Sequence, residues 1–531
     1  MRARSDNRIM NLFRSPIDGN GLARALAAGA LLIMSCTLVW RFVGFVNRSV
    51  WAINSTHGLD YGEGIVWQQM RMISNGHGYS PLEAYPAIVF HYPPVFHLVT
   101  LAVASVTSWG DLAAGRIVSF LSTLIAAALV GSIAGLISSN STRITRWICG
   151  AAAFLVCLSC YPIVVWAPLM RVDMLASALS LAGLLFSMLA LRRPWLIYLA
   201  SCFFVAAVFT KQTMVAAPAA AFFVLLILKP RLAVRGIVTC FSVGLVALAG
   251  LSIITSGQFT HHIFGYNINR FSLDRLRGVF HILHQHLAYI IVGLAGVTFA
   301  FYRLIFRREG CGAADRMGSR FDVTSTRYII AASYAAASAL TLVLVGKSGS
   351  TINYYIEWFF AGSIIVGAAV HAAAEIVFRP NGAKFASWSI ILIGIGVPAL
   401  ISYGALTVPT VESGDQIKTV SDQVQLNLLI SKIREARRPV ISDNMVIVRQ
   451  AGKEVVLEPA IIAELTSTKV YDERHLLQMI NDKDFAFFVT EGVAGQVLFD
   501  SRYSPAVAKA MSRNYPRLER LAGLTVHLAD K

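Results

Sequence analysis

Between residues 25 and 407 the sequence repeats one device: apolar runs long enough to cross a lipid bilayer, separated by short polar breaks. The runs lie near 25–46, 93–109, 113–137, 147–168, 172–191, 194–210, 212–228, 236–255, 286–306, 327–345, 355–378 and 386–407. A hydrocarbon core about 30 Å thick takes roughly 20 apolar residues per helix, and helices satisfy their own backbone in lipid. After 407 no such run follows, so the remainder is expected to be a separate, water-soluble piece. Of the 531 residues 56% are hydrophobic and 14% charged, a balance unlike that of a soluble domain.

The run at 93–109 differs from the others. PPVFHLVTLAVASVTSW opens with Pro93 and Pro94, carries His97 and ends in Trp109, features of a helix lying at the membrane interface. Loop charges decide its placement. If it does not cross, one side of the membrane collects Arg143, Arg146, Arg192, Arg193, Lys229, Arg231, Arg235 and the cations of the 303–320 and 379–384 loops. The positive-inside rule makes that side cytoplasmic. The expected fold is therefore an α-helical polytopic membrane protein of about 11 transmembrane helices with a small C-terminal α/β domain. Its parts are a cytoplasmic N-terminus (1–24), a transmembrane domain (25–407) with a first external loop at 47–112, and an extracytoplasmic domain (411–531).

A net charge of +17 would suggest nucleic acid in a soluble protein, but here the cations sit in short loops that set topology and meet anionic lipid. No nucleic-acid partner is expected. Arg2, Arg4, Arg8 and Arg14 precede the first run, read as an uncleaved span. Cys157 and Cys160 form a CxxC inside the helical run AAAFLVCLSCY, with no second pair nearby, and are read as packing residues. No HExxH, GxSxG or Walker pattern occurs, which argues against an ATP-driven or cytosolic sugar-nucleotide enzyme. In the tail, PVIS, EVVL, FAFFV and LTVHL read as strands, and ERHLLQMIND and SPAVAKAMSRNY as helices. No catalytic constellation is evident there; acceptor binding and support for the external loops both stay open, with support the expected role.

With that topology, polar residues gather at span ends on one face. LDYGEG places Asp60 and Glu63 one helical turn apart; FHYPP supplies His91 and Tyr92; LMRVDML supplies Arg171 and Asp173. FTKQTM supplies Lys211 and Gln212, and GKSGSTINYYIEWF supplies Lys347, Asn353, Tyr354, Tyr355 and Glu357. Taken singly, cations at span ends snorkel and aromatic residues form interfacial belts. Together, Arg171 and Lys211 sit where positive-inside bias depletes cations, and such groups hold a lipid-linked phosphate at headgroup depth. The loop at 256–285 adds His261, His262, Arg270, Arg275 and Arg277 among aromatic residues, and reads as an amphipathic cover for substrate or as a surface coat.

These motifs, in this order and on this side, resemble the GT-C superfamily of integral membrane glycosyltransferases, which includes protein mannosyltransferases, lipid A aminoarabinose transferases and family 39-like bacterial members. The matching elements are DYGEG after the first span, YPP before an interfacial helix, RVDML, KQTMVAAP and NYYIE; RPVISDNMVIVRQAGKEVVLEP and DFAFFVTE extend the likeness into the tail. The resemblance implies sugar transfer from a polyprenyl-phosphate donor to an extracytoplasmic glycan, lipid or protein by single displacement, in a bacterial inner membrane, with the site facing the periplasm or exterior. It makes Asp60 the catalytic base, worth about 10² to 10⁴ in rate. It implies donor-phosphate contacts for Arg171 and Lys211. Asp173, Asn353, Tyr354 and Glu357 would contact the sugar or order the loop, and Glu63, His91, Tyr92, Gln212 and Arg270 complete the expected substrate-binding set. Where some members carry a second acidic residue before Pro-Pro, often with a divalent metal, this chain has His91 and Tyr92. The ligand set left for Mg or Mn is Asp60, Glu63 and His91, and a metal-free reaction stays open beside it.

Two other classes fit less well. A transporter or flippase usually carries ionisable residues near the bilayer midplane and repeated halves, whereas the span interiors here are almost uncharged. A polysaccharide ligase or polymerase would place its catalytic loop between late spans.

Overall fold

The computed structural model describes residues 19–138, 142–267, 269–306, 322–378, 390–410 and 420–530. The basic N-terminal stretch and the 307–321 loop lie outside the described residues. The described residues form a bundle of apolar helices, a layer over one end of it and a C-terminal α/β domain docked on that layer. A helix occupies each apolar run: Gly19–Asn54, Val95–Val106, Asp111–Ile137, Arg143–Cys157, Asp173–Leu189, Leu196–Val208, Ala216–Leu228, Pro230–Ile254, Leu287–Phe306, Val323–Thr341, Ile356–Phe378 and Gly396–Thr407. Among the described residues, five helices are long and apolar enough to cross a bilayer, or six if a bent pair is one span. Others that were expected to span are shorter apolar helices of 10–17 residues, such as Asp173–Leu189 and Leu196–Val208. The bent pair is Leu273–Gln285 with Leu287–Thr298, at 80°.

Local sequence explains the boundaries. Pro230 at the first turn of its helix ends the preceding run at Lys229. Thr142 and Asp322 cap their helices by accepting hydrogen bonds from Thr145 N and Ser325 N. Helix Ile356–Phe378 is the bundle's core: fifteen of its residues are buried, and its small and β-branched side chains let neighbouring helices close around it.

Helix Val95–Val106 stays on one face of the bundle. Its first amide, Val95 N, donates to Phe209 O at the end of Leu196–Val208 (3.3 Å). A short connection past its C-terminus, Asp111 accepts from Arg71 Nε at 2.6 Å and from Trp67 Nε1 at 2.6 Å. Arg71 and Trp67 belong to the helix Tyr61–Ser74 in the same layer.

The C-terminal domain is a four-stranded sheet in the order β1-β2-β4-β3. Strands β1 (Val440–Ser442) and β2 (Phe487–Thr490) pair in parallel, and β4 (Leu524–Leu528) is antiparallel to both β2 and β3 (Arg517–Leu521). EVVL, expected as a strand, joins no sheet; its Leu457 instead bridges to Ala87 of the loop after the first helix. β3 is mostly exposed and carries no apolar alternation to announce it. One hydrophobic core unites Val66 and Met70 of the loop helix with Val440, Met445, Phe487 and Val526 of the domain.

Candidate functional site

Asp60 stands just ahead of helix Tyr61–Ser74 with extended backbone (φ −145°, ψ 144°), and its Oδ2 accepts from Gly62 N at 2.8 Å. The aspartate is thus the helix N-cap, held by an otherwise unpaired amide and favoured by the positive end of the helix dipole. The same oxygen accepts from Arg171 Nη1 at 3.0 Å, and both side chains keep partial access to solvent, 19% for Asp60 and 14% for Arg171. Burial pushes the Asp60 carboxyl above its ordinary value, against the pull of the Arg171 guanidinium. Gly62 makes this approach possible: a Cβ there would lie 1.3 Å from Arg171 Nη1.

Arg171 lies 5.5 Å over the Trp166 ring, and its Nη2 donates to Tyr92 Oη at 3.4 Å. Its buried Nε has no hydrogen-bond partner among the described residues. Behind it lies a closed polar knot. Asp173 accepts from Lys211 Nζ (2.6 Å), Asn353 Nδ2 (2.9 Å) and Trp166 Nε1 (2.8 Å). Lys211 also sits 4.8 Å over the Tyr354 ring, a cation–π contact strengthened by burial. Glu357 lies near Lys211 and Tyr334. Gln212 Nε2 donates to His91 O at 2.8 Å, and burial, with His262 and Arg171 nearby, pushes the His91 imidazole down to about 4.

The structure thus brings together Asp60, Tyr92, Arg171, Asp173, Lys211, Asn353, Tyr354 and Glu357, with Gln212 and His91 alongside. It departs from the sequence reading at four places. Glu63 is fully buried: it accepts from Arg116 Nε (2.8 Å) and Nη2 (2.7 Å), Met170 N (2.9 Å) and Leu59 N (2.8 Å). Four protein donors saturate it, leaving nothing for a substrate or metal. Consequently the Asp60, Glu63 and His91 ligand set does not form; among the described residues no group of three His, Cys, Asp or Glu side chains is placed to hold a metal ion. Lys211 is 3% exposed and already paired with Asp173, so it meets no phosphate directly. Arg270 lies on the C-terminal domain, with its amide on Glu464 Oε1 (3.3 Å) and its Nη2 on Ser467 O (3.4 Å).

Sequence reasoning passed over Arg116, Trp166 and Glu458. Arg116 had a signal, being a charge within the apolar run DLAAGRIVSF. It also anchors the loop entrance by donating to Ala52 O and Ser55 O (2.6 Å each) and His57 O (2.5 Å). Glu458 had none: it belongs to the tail domain, and only the docking of that domain sets it beside Arg171, Asp60 and Tyr61.

The sequence alone matches no family model and no curated protein. Its structure is similar to that of ArnT from Cupriavidus metallidurans in the apo state, with a TM-score of 0.54 at 14% identity over 95% of this chain and 98% of that one. Against ArnT from the same organism bound to undecaprenyl phosphate, the TM-score is 0.52 at 15% identity, over 96% and 98%. The chain shares the ArnT fold. The polytopic helical architecture with a small C-terminal α/β domain, expected from the apolar runs and their end near 407, is the one observed. At this level of identity the likeness concerns the fold, and the chemistry must be argued from the residues.

Proposed function

We propose that the protein is a membrane glycosyltransferase that moves a sugar from a polyprenyl-phosphate donor to an acceptor outside the cytoplasm, with Asp60 as general base. The observation that carries this reading is the Asp60–Arg171 pair: a partly exposed carboxylate beside a guanidinium that retains a free Nε. In the step, the acceptor's proton passes to Asp60 as its oxygen or nitrogen bonds the anomeric carbon. The bond from that carbon to the phosphate oxygen breaks, and its electron pair leaves on the phosphate. The departing polyprenyl phosphate is a stable anion, which Arg171 stabilises electrostatically. The buried Asp173–Lys211–Asn353 knot fixes Trp166 and, through its ring, the plane of the guanidinium.

The lipid part of the donor has a matching space. An apolar cavity of about 500 Å³ lies among helices Leu287–Phe306, Val323–Thr341 and Ile356–Phe378 and reaches Trp358 and Phe359. Trp358 is one helical turn from Tyr354, whose ring carries Lys211. ArnT of the same fold was crystallised with undecaprenyl phosphate, a ligand of the proposed class. We place the protein in a bacterial inner membrane with Asp60 on the periplasmic or exterior side. Purified protein in nanodiscs, offered labelled polyprenyl-phosphate sugars, is expected to release polyprenyl phosphate, and Arg171→Ala to raise the donor KM at least tenfold. Binding of polyprenyl phosphate unchanged by Arg171→Ala would refute the phosphate assignment.

A further inference from the structure

The carboxylates around the Asp60–Arg171 pair that come from the membrane part are claimed by protein donors, two on Asp60, four on Glu63 and three on Asp173, while Glu357, deeper behind Lys211, keeps Tyr334 and a buried Oε1 without a partner among the described residues. Glu458 is different. It is 7% exposed, and among the described residues no hydrogen bond or ion pair from the protein reaches its carboxylate; Arg171 and Asp60 act on it only through their charges. Burying a carboxylate without a hydrogen-bond partner is costly, and Glu458 is not loosely held. Ala87 N donates to Val456 O at 2.7 Å and Leu457 bridges to Ala87, tying this segment to the external loop. One residue later Pro459 starts the helix Pro459–Ser467, whose Ala460 N donates to Tyr61 Oη at 3.4 Å. The C-terminal domain thus delivers an unpartnered carboxyl group to the Asp60–Arg171 pair, on a backbone pinned from both sides.

We propose that Glu458 is a substrate-contacting residue, its carboxylate accepting a hydrogen bond from a hydroxyl of the donor sugar. The inference rests on the transferase reading. With the phosphate on Arg171 and the anomeric carbon beside Asp60, the sugar ring lies between these groups and the docked domain, and its hydroxyls need acceptors there. Of the carboxylates on the docked domain, Glu458 is the one beside Asp60 and Arg171 that no protein donor reaches among the described residues. The soluble domain is then part of the active site, and the substrate class is a sugar that presents a hydroxyl toward the domain.

The test uses full-length protein in nanodiscs and a panel of labelled polyprenyl-phosphate hexoses, each with its monodeoxy analogues, with polyprenyl phosphate release as the readout. A hydrogen bond to a charged acceptor contributes about 1.5–3 kcal/mol, which corresponds to roughly 10- to 100-fold. Glu458→Ala is expected to raise the donor KM by about that factor, with a smaller rise for Glu458→Gln. The wild type should reject one monodeoxy donor, and the variants should accept it as readily as the parent sugar. If Glu458→Ala fails to fold, Glu458→Gln with the deoxy panel decides. Unchanged donor KM, kcat and deoxy discrimination in a folded variant overturn the inference while leaving the transferase reading intact. A wild type that releases polyprenyl phosphate from no donor overturns both.

Discussion

Asp60 and Glu63 stand one turn apart on the same helix, yet their surroundings give them opposite work. Glu63 is sealed with Arg116 at 0% exposure for both. Removing one partner of a buried pair costs about 3–5 kcal/mol, so Arg116→Met is expected to lower the unfolding midpoint in detergent strongly; an unchanged midpoint would contradict a structural role. Asp60 keeps solvent access and one strong partner. Gly62→Ala should displace Arg171 Nη1, the flexible end of its side chain, and cut transfer at least tenfold with little change in melting temperature. Proton acceptance needs Asp60 ionised, and burial raises its carboxyl. The rate is therefore expected to fall as pH drops through a midpoint above the ordinary ~3.9, measurable as the acid limb of kcat/KM. Burial likewise pushes the Glu458 carboxyl from 4.5 up to about 7. The folded state then binds a proton that the unfolded chain releases between those values, so this group's contribution to stability falls as pH rises through that window. Glu458→Gln should remove that part of the pH dependence of the melting temperature.

At the scale of elements, helix Tyr61–Ser74 is the piece that joins membrane and soluble parts. Its Gln68 donates to Glu454 Oε1 (3.3 Å) and accepts from Arg449 Nη1 (3.0 Å) and Val455 N (3.2 Å). Gly64 lets it lie against the domain: a Cβ there would come within 2.6 Å of the Met445 backbone. Backbone yields less readily than a side-chain tip, so Gly64→Ala is expected to destabilise the docked domain by about 1–3 kcal/mol, read as earlier proteolysis of the tail. What the sequence made legible follows from how local each signal was. The apolar runs, the doubled proline before Val95 and the residue types at span ends were readable because membrane thickness and loop charge act on a short stretch of chain. The saturation of Glu63 was not, because its donors come from Arg116 and from the Met170 and Leu59 amides. Nor was Glu458, whose environment exists only after two domains dock.

Across the described residues, the arrangement concentrates ionisable groups where distant helices end and leaves exposed apolar side chains along helix Pro230–Ile254, as at Ile253 and Ile254. The side-chain contacts from Asp60 through Arg171 and Trp166 to Asp173, and from Asp173 to Lys211 and Asn353, require all these chain positions at one end of the bundle. Reporter fusions after residues 143 and 411 should accordingly report opposite compartments, cytoplasmic and external. The most direct measurement is transfer of label from a polyprenyl-phosphate sugar in membranes carrying either the wild type or Asp60→Asn. Transfer by the wild type and a loss of at least 100-fold in the variant, with equal protein in the membrane, is the expected result; equal transfer by both would remove Asp60, and the chemistry built on it, from the mechanism.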